Sequence, residues 1–351
     1  MTYLAKPKLH HPKLVANSLG YTRRDYEGSV STLCAGCGHD SISAAIVQAI
    51  YDLALPPHRI AKLSGIGCSS KTPDYFLGAS HGFNSVHGRM PSVLTGANLA
   101  NRDLVYIGVS GDGDSASIGI GQFAHVMRRN VNMLYMVENN GVYGLTKGQF
   151  SATADEGQEL KYAGTNDYPA VDLCLEAIAA GCGFVARSFA GNAKQVRELL
   201  KAALAHRGTA VLDVISPCVA FNNDDHSSKS YAFGRDHEHA MQDLGWIPKQ
   251  EEIVIEPTEP GETRVVALHD GSKLALRHLE SGYDPTDKRT AVQRLLRAEE
   301  EGQFLTGLIY YDPSRPSLAE TTAIGEAPLA SLPDAALRPP PEALASVLAR
   351  Y

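Results

Sequence analysis

The sequence lacks any apolar run long enough to span a membrane, and its first residues lack the apolar core of a secretory signal. It also lacks an excess of positive charge, because 32 Lys and Arg stand against 39 Asp and Glu and give a net charge of −7. A nucleic acid or an anionic membrane is therefore not an expected partner. Internal repeats and low-complexity arrays are also missing. These absences leave a globular, cytoplasmic protein as the expectation.

The pattern of apolar residues predicts one large α/β domain between two less regular ends. From residue 31 to residue 249, apolar runs of strand length alternate with helical patterns, which predicts a mostly parallel sheet with helices on both faces. Residues 1–30 are polar and contain prolines, so we expect an arm held by the body or by a partner. Residues 250–351 carry charged segments and a proline-rich tail, and we expect an extension that wraps the core or a partner subunit.

The most informative stretch contains two polar turns, each of which follows an apolar run of strand length. Residues 104–109 lead into the turn at 110–114, and residues 131–137 lead into the turn at 138–144. A helical pattern at 118–129 separates them. A crossover of this kind makes the two strands parallel neighbours, so both turns are expected at the same carboxyl edge of the sheet.

Oxygen-bearing side chains in these turns predict a site for a diphosphate held through a metal ion. Asp112 and Asn140 can face one ion, and carboxylate, amide and carbonyl oxygens suit Mg²⁺ completed by phosphates and water. Glycines beside them allow backbone N–H groups to approach phosphate closely: Gly111, Gly113, Gly141 and Gly144. Either turn alone is more simply an ordinary surface turn. Their pairing after two buried-type strands favours the metal site.

The six cysteines divide into two groups. Four lie in turns that contain glycine, serine or proline: Cys34, Cys37, Cys68 and Cys218. The other two, Cys174 and Cys182, flank a helical pattern in apolar company, which favours buried core sulfur. Four thiolates suit either a [4Fe–4S] cluster or a structural zinc ion, and the spacing leaves both open.

These motifs resemble a known family. The Gly-Asp-Gly and Asn-Asn pair resembles the thiamine diphosphate signature, and Val142–Gln149 resembles the β subunits of 2-oxoacid:ferredoxin oxidoreductases. The motifs Cys-x-Gly-Cys-Gly-His, Gly-Ile-Gly-Cys-Ser-Ser and Ser-Pro-Cys resemble the cluster-bearing motifs of the same β subunits. The likeness runs from about Cys34 to Asn223 and, more loosely, through the C-terminal segment. Leu33 departs from the family pattern, in which Trp is frequent.

The resemblance implies how the cofactors are held. It assigns Mg²⁺ to Asp112, Asn140 and the carbonyl of Val142, and it assigns a [4Fe–4S] cluster to the four turn cysteines. It implies contacts to thiamine diphosphate from a larger set: His39, Ile66, Gly67, Cys68, Ser69, His87, Arg89, Gly111, Asp112, Gly113, Asp114, Asn140, Val142, Gly144, Leu145 and Thr146. Within this set, Asp114 is expected to face solvent near the metal without ligating it.

Three further residues are expected near the substrates. Lys71 follows the Cys68 turn, and the family places a basic residue here at the 2-oxoacid carboxylate. Lys147 follows the phosphate loop and can meet the phosphates of coenzyme A as a point charge. Leu145 is expected to shape the acyl pocket. The simpler alternatives are two solvated surface lysines and a core leucine.

The reaction implied by the resemblance is the oxidative decarboxylation of a 2-oxoacid with coenzyme A to acyl-CoA and CO₂, with electrons passing through the cluster to ferredoxin. The Lys-Gly-Gln-Phe-Ser-Ala-Thr loop and the segment from Leu305 to Thr322 look closest to 2-oxoglutarate members. Pyruvate and branched-chain 2-oxoacids stay open as substrates. The family places the pyrimidine-activating Glu on an α subunit, and no Glu motif assigns that role here. We therefore expect a heterodimer or a dimer of heterodimers.

Two other classes of function stay open. A non-redox thiamine-dependent decarboxylase or carboligase has no need of the four turn cysteines. A non-enzymatic iron–sulfur carrier or zinc-stabilised scaffold has no need of Asp112 and Asn140.

Overall fold

The computed structural model describes residues 13–249, 263–278 and 283–350. Its strands, in chain order, are β1 (Ile60–Ser64), β2 (His81–Asn84), β3 (Val105–Gly111), β4 (Met133–Asn139), β5 (Val142–Tyr143), β6 (Gln149–Phe150), β7 (Glu159–Leu160), β8 (Gly164–Thr165), β9 (Phe184–Phe189), β10 (Thr209–Ile215), β11 (Glu238–Ala240), β12 (Gln242–Ile247), β13 (Thr263–Ala267), β14 (Lys273–His278) and β15 (Phe304–Tyr311). Its α-helices are α1 (Gly38–Asp52), α2 (Met90–Ala100), α3 (Ile120–Arg129), α4 (Leu173–Ala179), α5 (Ala193–Ala205), α6 (Tyr231–His237), α7 (Lys288–Glu300), α8 (Leu318–Thr321), α9 (Asp334–Leu337) and α10 (Pro341–Leu348).

Eight of these strands form the main sheet, in the order β11-β15-β9-β10-β4-β3-β1-β2. Neighbouring strands run parallel, except that β15 is antiparallel to β9. The predicted mostly parallel sheet is thereby confirmed. β3 and β4 are adjacent, as their connection predicted, and Asn130 ends the intervening α3 in the left-handed conformation with φ 53°. Both polar turns consequently lie at the carboxyl edge of the sheet.

Alternate residues of β4 pack into different hydrophobic cores. Leu134 and Met136 belong to the core that α1 and α5 cover. Tyr135 and Val137 belong to the core that α2, α3, α4 and α7 cover. Because successive side chains of a strand point to opposite faces, a strand that is apolar at every position must be covered on both sides. Helices therefore cover both faces of the sheet, as predicted.

The region after residue 249 contributes a strand to the main sheet. β12, β14 and β13 form a separate three-stranded antiparallel sheet, but β15 lies between β11 and β9 and is buried along its whole length. The extension predicted at 250–351 thus includes core structure, and the division at residue 250 stays a prediction. Residues 250–262 and 279–282 of that extension, and residues 1–12 of the predicted arm, lie outside the described residues.

The described part of the predicted arm is packed against the body. Tyr26 is fully buried in the core beneath α1, and its hydroxyl accepts a 2.8 Å hydrogen bond from Asn17 Nδ2. In the portion of the chain that the structure describes, none of the helices combines the length and the apolar character that a membrane crossing requires.

His206, at the carboxyl end of α5, predicts an acid-sensitive fold. The ring is buried between Phe184 and Tyr311, and among the described residues neither ring nitrogen has a hydrogen-bond partner. Burial lowers the pKa of His206 from 6.5 to about 3. Between these two pH values, His206 is protonated in the unfolded chain but not in the folded chain. The free energy of unfolding therefore falls as the pH drops from 6.5 towards 3.

When the pH is lowered from about 7.5 to about 5, His206 should reduce the free energy of unfolding by about 2 kcal/mol, and we expect His206→Phe to lack this loss. Thermal unfolding of both proteins at the two pH values measures this. The exposed His226, replaced in the same way, is the control and is expected to keep the wild-type pH dependence. An equal loss of stability in wild type and His206→Phe would contradict the assignment to His206.

Candidate cofactor-binding site

A cleft opens at the carboxyl edge of β1, β3 and β4. Its lining consists of His39, Ile66, Gly67, Cys68, Ser69, Gly111, Asp112, Gly113, Asp114, Glu138, Asn140, Val142, Tyr143 and Gly144. Most of the residues predicted to contact thiamine diphosphate are therefore brought together. The loop after β1 is fixed in part by the buried Lys62, whose ammonium donates to the carbonyls of Phe76 (2.6 Å), Leu77 (3.1 Å) and Pro73.

Asp112 is the best-anchored acidic group of the cleft. Its side chain is buried, and Oδ2 accepts hydrogen bonds from Gly141 N–H at 2.9 Å, from Thr153 Oγ1 at 2.7 Å and from Ser151 Oγ. Oδ1 accepts a longer one of 3.3 Å from Asn140 N–H. Burial raises the pKa of Asp112 above its ordinary value. The ionised carboxylate is thus costly here, and a bound cation would offset that cost.

The turn after β4 holds Asn140 and Val142 in fixed positions. Asn140 Oδ1 accepts the Val142 N–H at 3.1 Å, and the Asn140 carbonyl accepts Asn222 Nδ2 at 2.8 Å. Gly141 has φ 75°, which favours glycine between them. A second reason for glycine is space, because a Cβ at Gly141 would lie 2.9 Å from Asn222 Nδ2. The amide oxygen of Asn140 and the carboxylate of Asp112 therefore border the same cleft.

The prediction that Asp114 faces solvent is wrong. Asp114 is buried, with Oδ1 accepting Gly88 N–H at 2.6 Å and Oδ2 accepting Ser110 Oγ at 2.7 Å. A Cβ at Gly65 would lie 1.7 Å from Asp114 Oδ2, so the loop after β1 passes directly over the carboxylate. The reason is the π-helical segment Gly113–Ile118, which turns Asp114 inward. Asp114 consequently joins three loops around the cleft.

Two glycines of the Gly-Asp-Gly motif line the cleft because larger residues would not fit. A Cβ at Gly111 would lie 2.6 Å from Ser69 Oγ, and a Cβ at Gly113 would lie 2.5 Å from the Tyr143 ring. Tyr143 also donates its hydroxyl to the Gly113 carbonyl at 2.8 Å. The side chains of Ser69 and Tyr143 therefore pack directly against the backbone of this turn, which only glycine permits.

His39 and Glu138 form a buried polar pair that the sequence predicted only in part. α1 begins at Gly38, so His39 lies in its first turn, and its Nδ1 lies 2.5 Å from Ser216 Oγ. Glu138 Oε2 lies 3.7 Å from His39 Nδ1, and neither carboxylate oxygen has a hydrogen-bond partner within the described ranges. Burial lowers the pKa of His39 to about 4 and raises that of Glu138. An unpartnered carboxyl group in the cleft fits a ligand that brings its own donors.

Glu138 and Tyr143 are cleft residues that the sequence analysis missed. The available signal for Glu138 was a charged residue inside the otherwise apolar run of β4. Tyr143 stood within the quoted motif, but nothing in the sequence indicated that its ring would cover Gly113.

Two of the four turn cysteines, Cys68 and Cys218, lie at one end of the cleft. A Cβ at Gly144 would lie 3.6 Å from Cys68 Sγ and 3.5 Å from Cys218 Sγ. Cys37 N–H donates to the Cys34 carbonyl at 3.0 Å, and Gly38 N–H reaches the Pro217 carbonyl at 3.5 Å, which joins this pair to the Cys218 turn. Burial is the main cause that raises the pKa of Cys37 to about 12, and it also raises the pKa of Cys68 and Cys218. In the described residues, no three His, Cys, Asp or Glu side chains are arranged to hold one metal ion.

Cys174 and Cys182 are core sulfur, as predicted. Both are buried in the core beneath α4, and Cys182 Sγ donates to the Thr209 carbonyl at 3.0 Å.

Several predicted residues do not line the cleft. His87 and Arg89 are exposed on either side of Gly88, and Leu145, Thr146 and Lys147 are exposed beyond Gly144. Lys147 borders a separate cavity of about 290 Å³ together with Lys161, Tyr162 and Phe221. Lys71 is half-buried in the 3-10 turn that follows Cys68, and its N–H donates to the Cys68 carbonyl at 3.1 Å. Their roles toward substrates remain predictions.

Comparison with known proteins agrees with this geometry. Residues 65–214 match the family described as thiamine pyrophosphate enzyme, C-terminal TPP binding domain. The fold and cleft are thus those of a thiamine diphosphate-binding domain. A 2-oxoacid:ferredoxin oxidoreductase subunit beta from a Sulfolobus species is 39% identical over 230 residues, which cover 65% of this chain and 73% of the relative. The chain belongs to the β subunits of the 2-oxoacid:ferredoxin oxidoreductases, which are enzyme subunits that work with other subunits.

Two 2-oxoglutarate enzymes are among the similar proteins. The 2-oxoglutarate oxidoreductase subunit KorB of Mycobacterium tuberculosis is 41% identical over 192 residues, covering 54% of this chain and 51% of the relative. A solved structure of the 2-oxoglutarate:ferredoxin oxidoreductase from Magnetococcus marinus, with 2-oxoglutarate, coenzyme A and succinyl-CoA bound, superposes with a TM-score of 0.71. The sequence identity is 29%, and the match covers 89% of this chain and 91% of that chain. The predicted family and enzyme class are confirmed.

Proposed function

We propose that this chain, assembled with an α subunit, oxidatively decarboxylates 2-oxoglutarate with coenzyme A to succinyl-CoA and CO₂ and passes two electrons through a [4Fe–4S] cluster to ferredoxin. The observation that carries the proposal is that the Asp112–Asn140 cleft and the sulfurs of Cys68 and Cys218 adjoin one another at Gly144. A group that gives up electrons and a group that accepts them would then lie side by side.

The metal assignment follows from the donors in the cleft. Asp112 Oδ1, Asn140 Oδ1 and the Val142 carbonyl would hold Mg²⁺, because all three are hard oxygen donors bordering the same space. Backbone N–H groups of the glycine-containing turns that line the cleft would receive the diphosphate oxygens. Bound thiamine diphosphate supplies the nucleophilic carbon that attacks the carbonyl of the 2-oxoacid. Asp112, held by three hydrogen bonds at Oδ2, would fix the position of the metal and hence of the diphosphate.

The cluster assignment follows the family resemblance of the motifs around Cys34, Cys37, Cys68 and Cys218. In its support, the sulfurs of Cys68 and Cys218 lie beside Gly144, and Gly38 N–H reaches the Pro217 carbonyl, which joins the Cys37 turn to the Cys218 turn. Burial raises the pKa of the Cys37, Cys68 and Cys218 thiols and so disfavours their thiolates, and iron binding would compensate this cost. Cys34 is exposed, so an electron can leave toward a docked protein on this side.

The assignments of substrate and partner go beyond what the fold alone implies. 2-Oxoglutarate is favoured by the names of the M. tuberculosis and M. marinus relatives, and Lys71 would pair with a carboxylate of the substrate. Lys147 beside Lys161 would meet the phosphates of coenzyme A. The α subunit would supply the Glu that activates the pyrimidine ring, in a heterodimer or a dimer of heterodimers.

Anaerobic purification of the complex, followed by analysis of iron, sulfide, zinc and thiamine diphosphate, tests the proposal. We expect about four irons and one thiamine diphosphate per copy of this chain. Reduction of ferredoxin should depend on coenzyme A and should be fastest with 2-oxoglutarate when pyruvate and a branched-chain 2-oxoacid are compared.

Other compositions would select other functions. Thiamine diphosphate without iron would indicate non-redox decarboxylation, and iron or zinc without thiamine diphosphate would indicate a carrier or a scaffold. Iron that separates with the partner subunit would place the cluster there.

A further inference from the structure

Two buried hydroxyl groups, those of Ser151 and Thr153, lie behind Asp112. Ser151 and Thr153 follow β6, are 5% and 1% exposed, and both contact Asp112 Oδ2. Their own oxygens lie 2.9 Å apart, so the two hydroxyls form one polar cluster. Neither residue lines the cleft, which means that each can act on a ligand only through Asp112.

The hydroxyl cluster is tied to the centre of the sheet. Thr153 Oγ1 lies 2.9 Å from Asn139 Oδ1, and Asn139 Nδ2 donates to Asp213 Oδ1 at 3.0 Å. Asp213 Oδ2 accepts Arg187 Nε at 3.0 Å. Asn139, Asp213 and Arg187 stand on β4, β10 and β9, three adjacent strands, so their side chains are held by a rigid frame.

Counting hydrogens shows how this frame orients Asp112. The amide of Asn139 must direct Nδ2 at Asp213, so its Oδ1 faces Thr153. Thr153 has one hydroxyl hydrogen, which Asp112 Oδ2 and Asn139 Oδ1 can both accept, while Ser151 supplies a second hydrogen to Oδ2. With Gly141 N–H also donating to Oδ2, that oxygen accepts two hydrogen bonds and shares the Thr153 hydrogen, whereas Oδ1 accepts one long hydrogen bond from Asn140 N–H. The carboxylate is thereby turned so that Oδ1 is the oxygen left for a cation.

We infer that Ser151, Thr153 and Asn139 are positioning residues that select Asp112 Oδ1 as the metal ligand. This inference rests on the proposed function, because it requires that Asp112 binds the cation. Outer groups that hydrogen-bond to a metal ligand fix its orientation, and their loss weakens metal binding without removing a ligand.

The test is Mn²⁺ binding to the assembled complex in the presence of thiamine diphosphate, followed by electron paramagnetic resonance. We expect Thr153→Val to bind Mn²⁺ about 10- to 100-fold more weakly than wild type and to change the Mn²⁺ spectrum. Thr153→Ser restores the hydroxyl and should return the affinity to within about threefold of wild type. Ser151→Ala should also weaken Mn²⁺ binding. It provides an independent test of the inference if Thr153→Val fails to fold.

Thr209→Val is the matched control. Thr209 is a fully buried threonine at the amino end of β10, away from the cleft. Its hydroxyl donates to the backbone carbonyls of Val126 and Val131. It should lower thermal stability without changing Mn²⁺ affinity. Wild-type Mn²⁺ affinity in both Thr153→Val and Ser151→Ala would overturn the inference alone, whereas a wild-type complex that binds no Mn²⁺ would overturn the proposed function as well.

Discussion

Asp112→Asn is expected to abolish the binding of Mg²⁺ and thiamine diphosphate and, with it, the turnover of 2-oxoacid. The change removes the charge but keeps the shape of the side chain, so the fold should survive. Burial raises the pKa of this carboxyl group, so the ionised form is costly in the cofactor-free fold and a neutral amide does not carry that cost. The loss of metal affinity should exceed the about 10- to 100-fold typical of groups that stand behind a ligand.

Calorimetry of thiamine diphosphate binding, at a fixed Mg²⁺ concentration, measures the effect. Wild type should gain melting temperature when both cofactors are added, because ligands that bind only the folded state stabilise it, and Asp112→Asn should gain none. Asp103→Asn, an exposed aspartate before the amino end of β3, is the control and should respond as wild type does. Cofactor binding that survives in Asp112→Asn would remove Asp112 from the metal site.

Cys218→Ala is expected to remove most of the iron and to stop ferredoxin reduction while leaving thiamine diphosphate binding intact. The alanine methyl group cannot ligate iron, and the other three cysteines stand on different turns that the cluster would join. Asp112 and Asn140 are untouched by this change, so the cofactor cleft keeps its donors. The variant therefore separates the electron-transfer function from cofactor binding.

Iron analysis and the visible absorption spectrum of the anaerobic complex measure this second result. Cys174→Ala is the matched control, because Cys174 is fully buried in the core beneath α4. It should keep the iron content of wild type even if it unfolds at a lower temperature. A Cys218→Ala complex with a full complement of iron would sink the assignment of the cluster to these four residues.

The sequence was a good guide to the site wherever chemistry and strand ends coincided. Asp112 and Asn140 each follow the end of a strand, and the chain between them forms one helical crossover and the next strand. Because the strands of a parallel crossover end at the same edge, their proximity followed without coordinates. The sequence was a poor guide where orientation mattered, as for Asp114, which a π-helical segment turns inward.

Contacts across long stretches of chain were out of reach of the sequence. Thr153 meets Asn139 and Asp112 only because a hairpin of β5 and β6 returns the chain to the cleft. Glu138 faces the cleft because of the alternation of side chains along β4, and which face that is depends on the helices that cover the sheet. The sequence motifs of the two turns give no indication of either contact.

By itself, the sequence determined the class of fold, the family and the group of residues at the sheet edge, because hydrophobic period and motif spacing are local properties of a chain. Only the tertiary structure decided that β15 enters the main sheet between β11 and β9, and that Ser151 and Thr153 hold Asp112 from behind. Both depend on strand order and register, which are set by the packing of distant segments around a shared core.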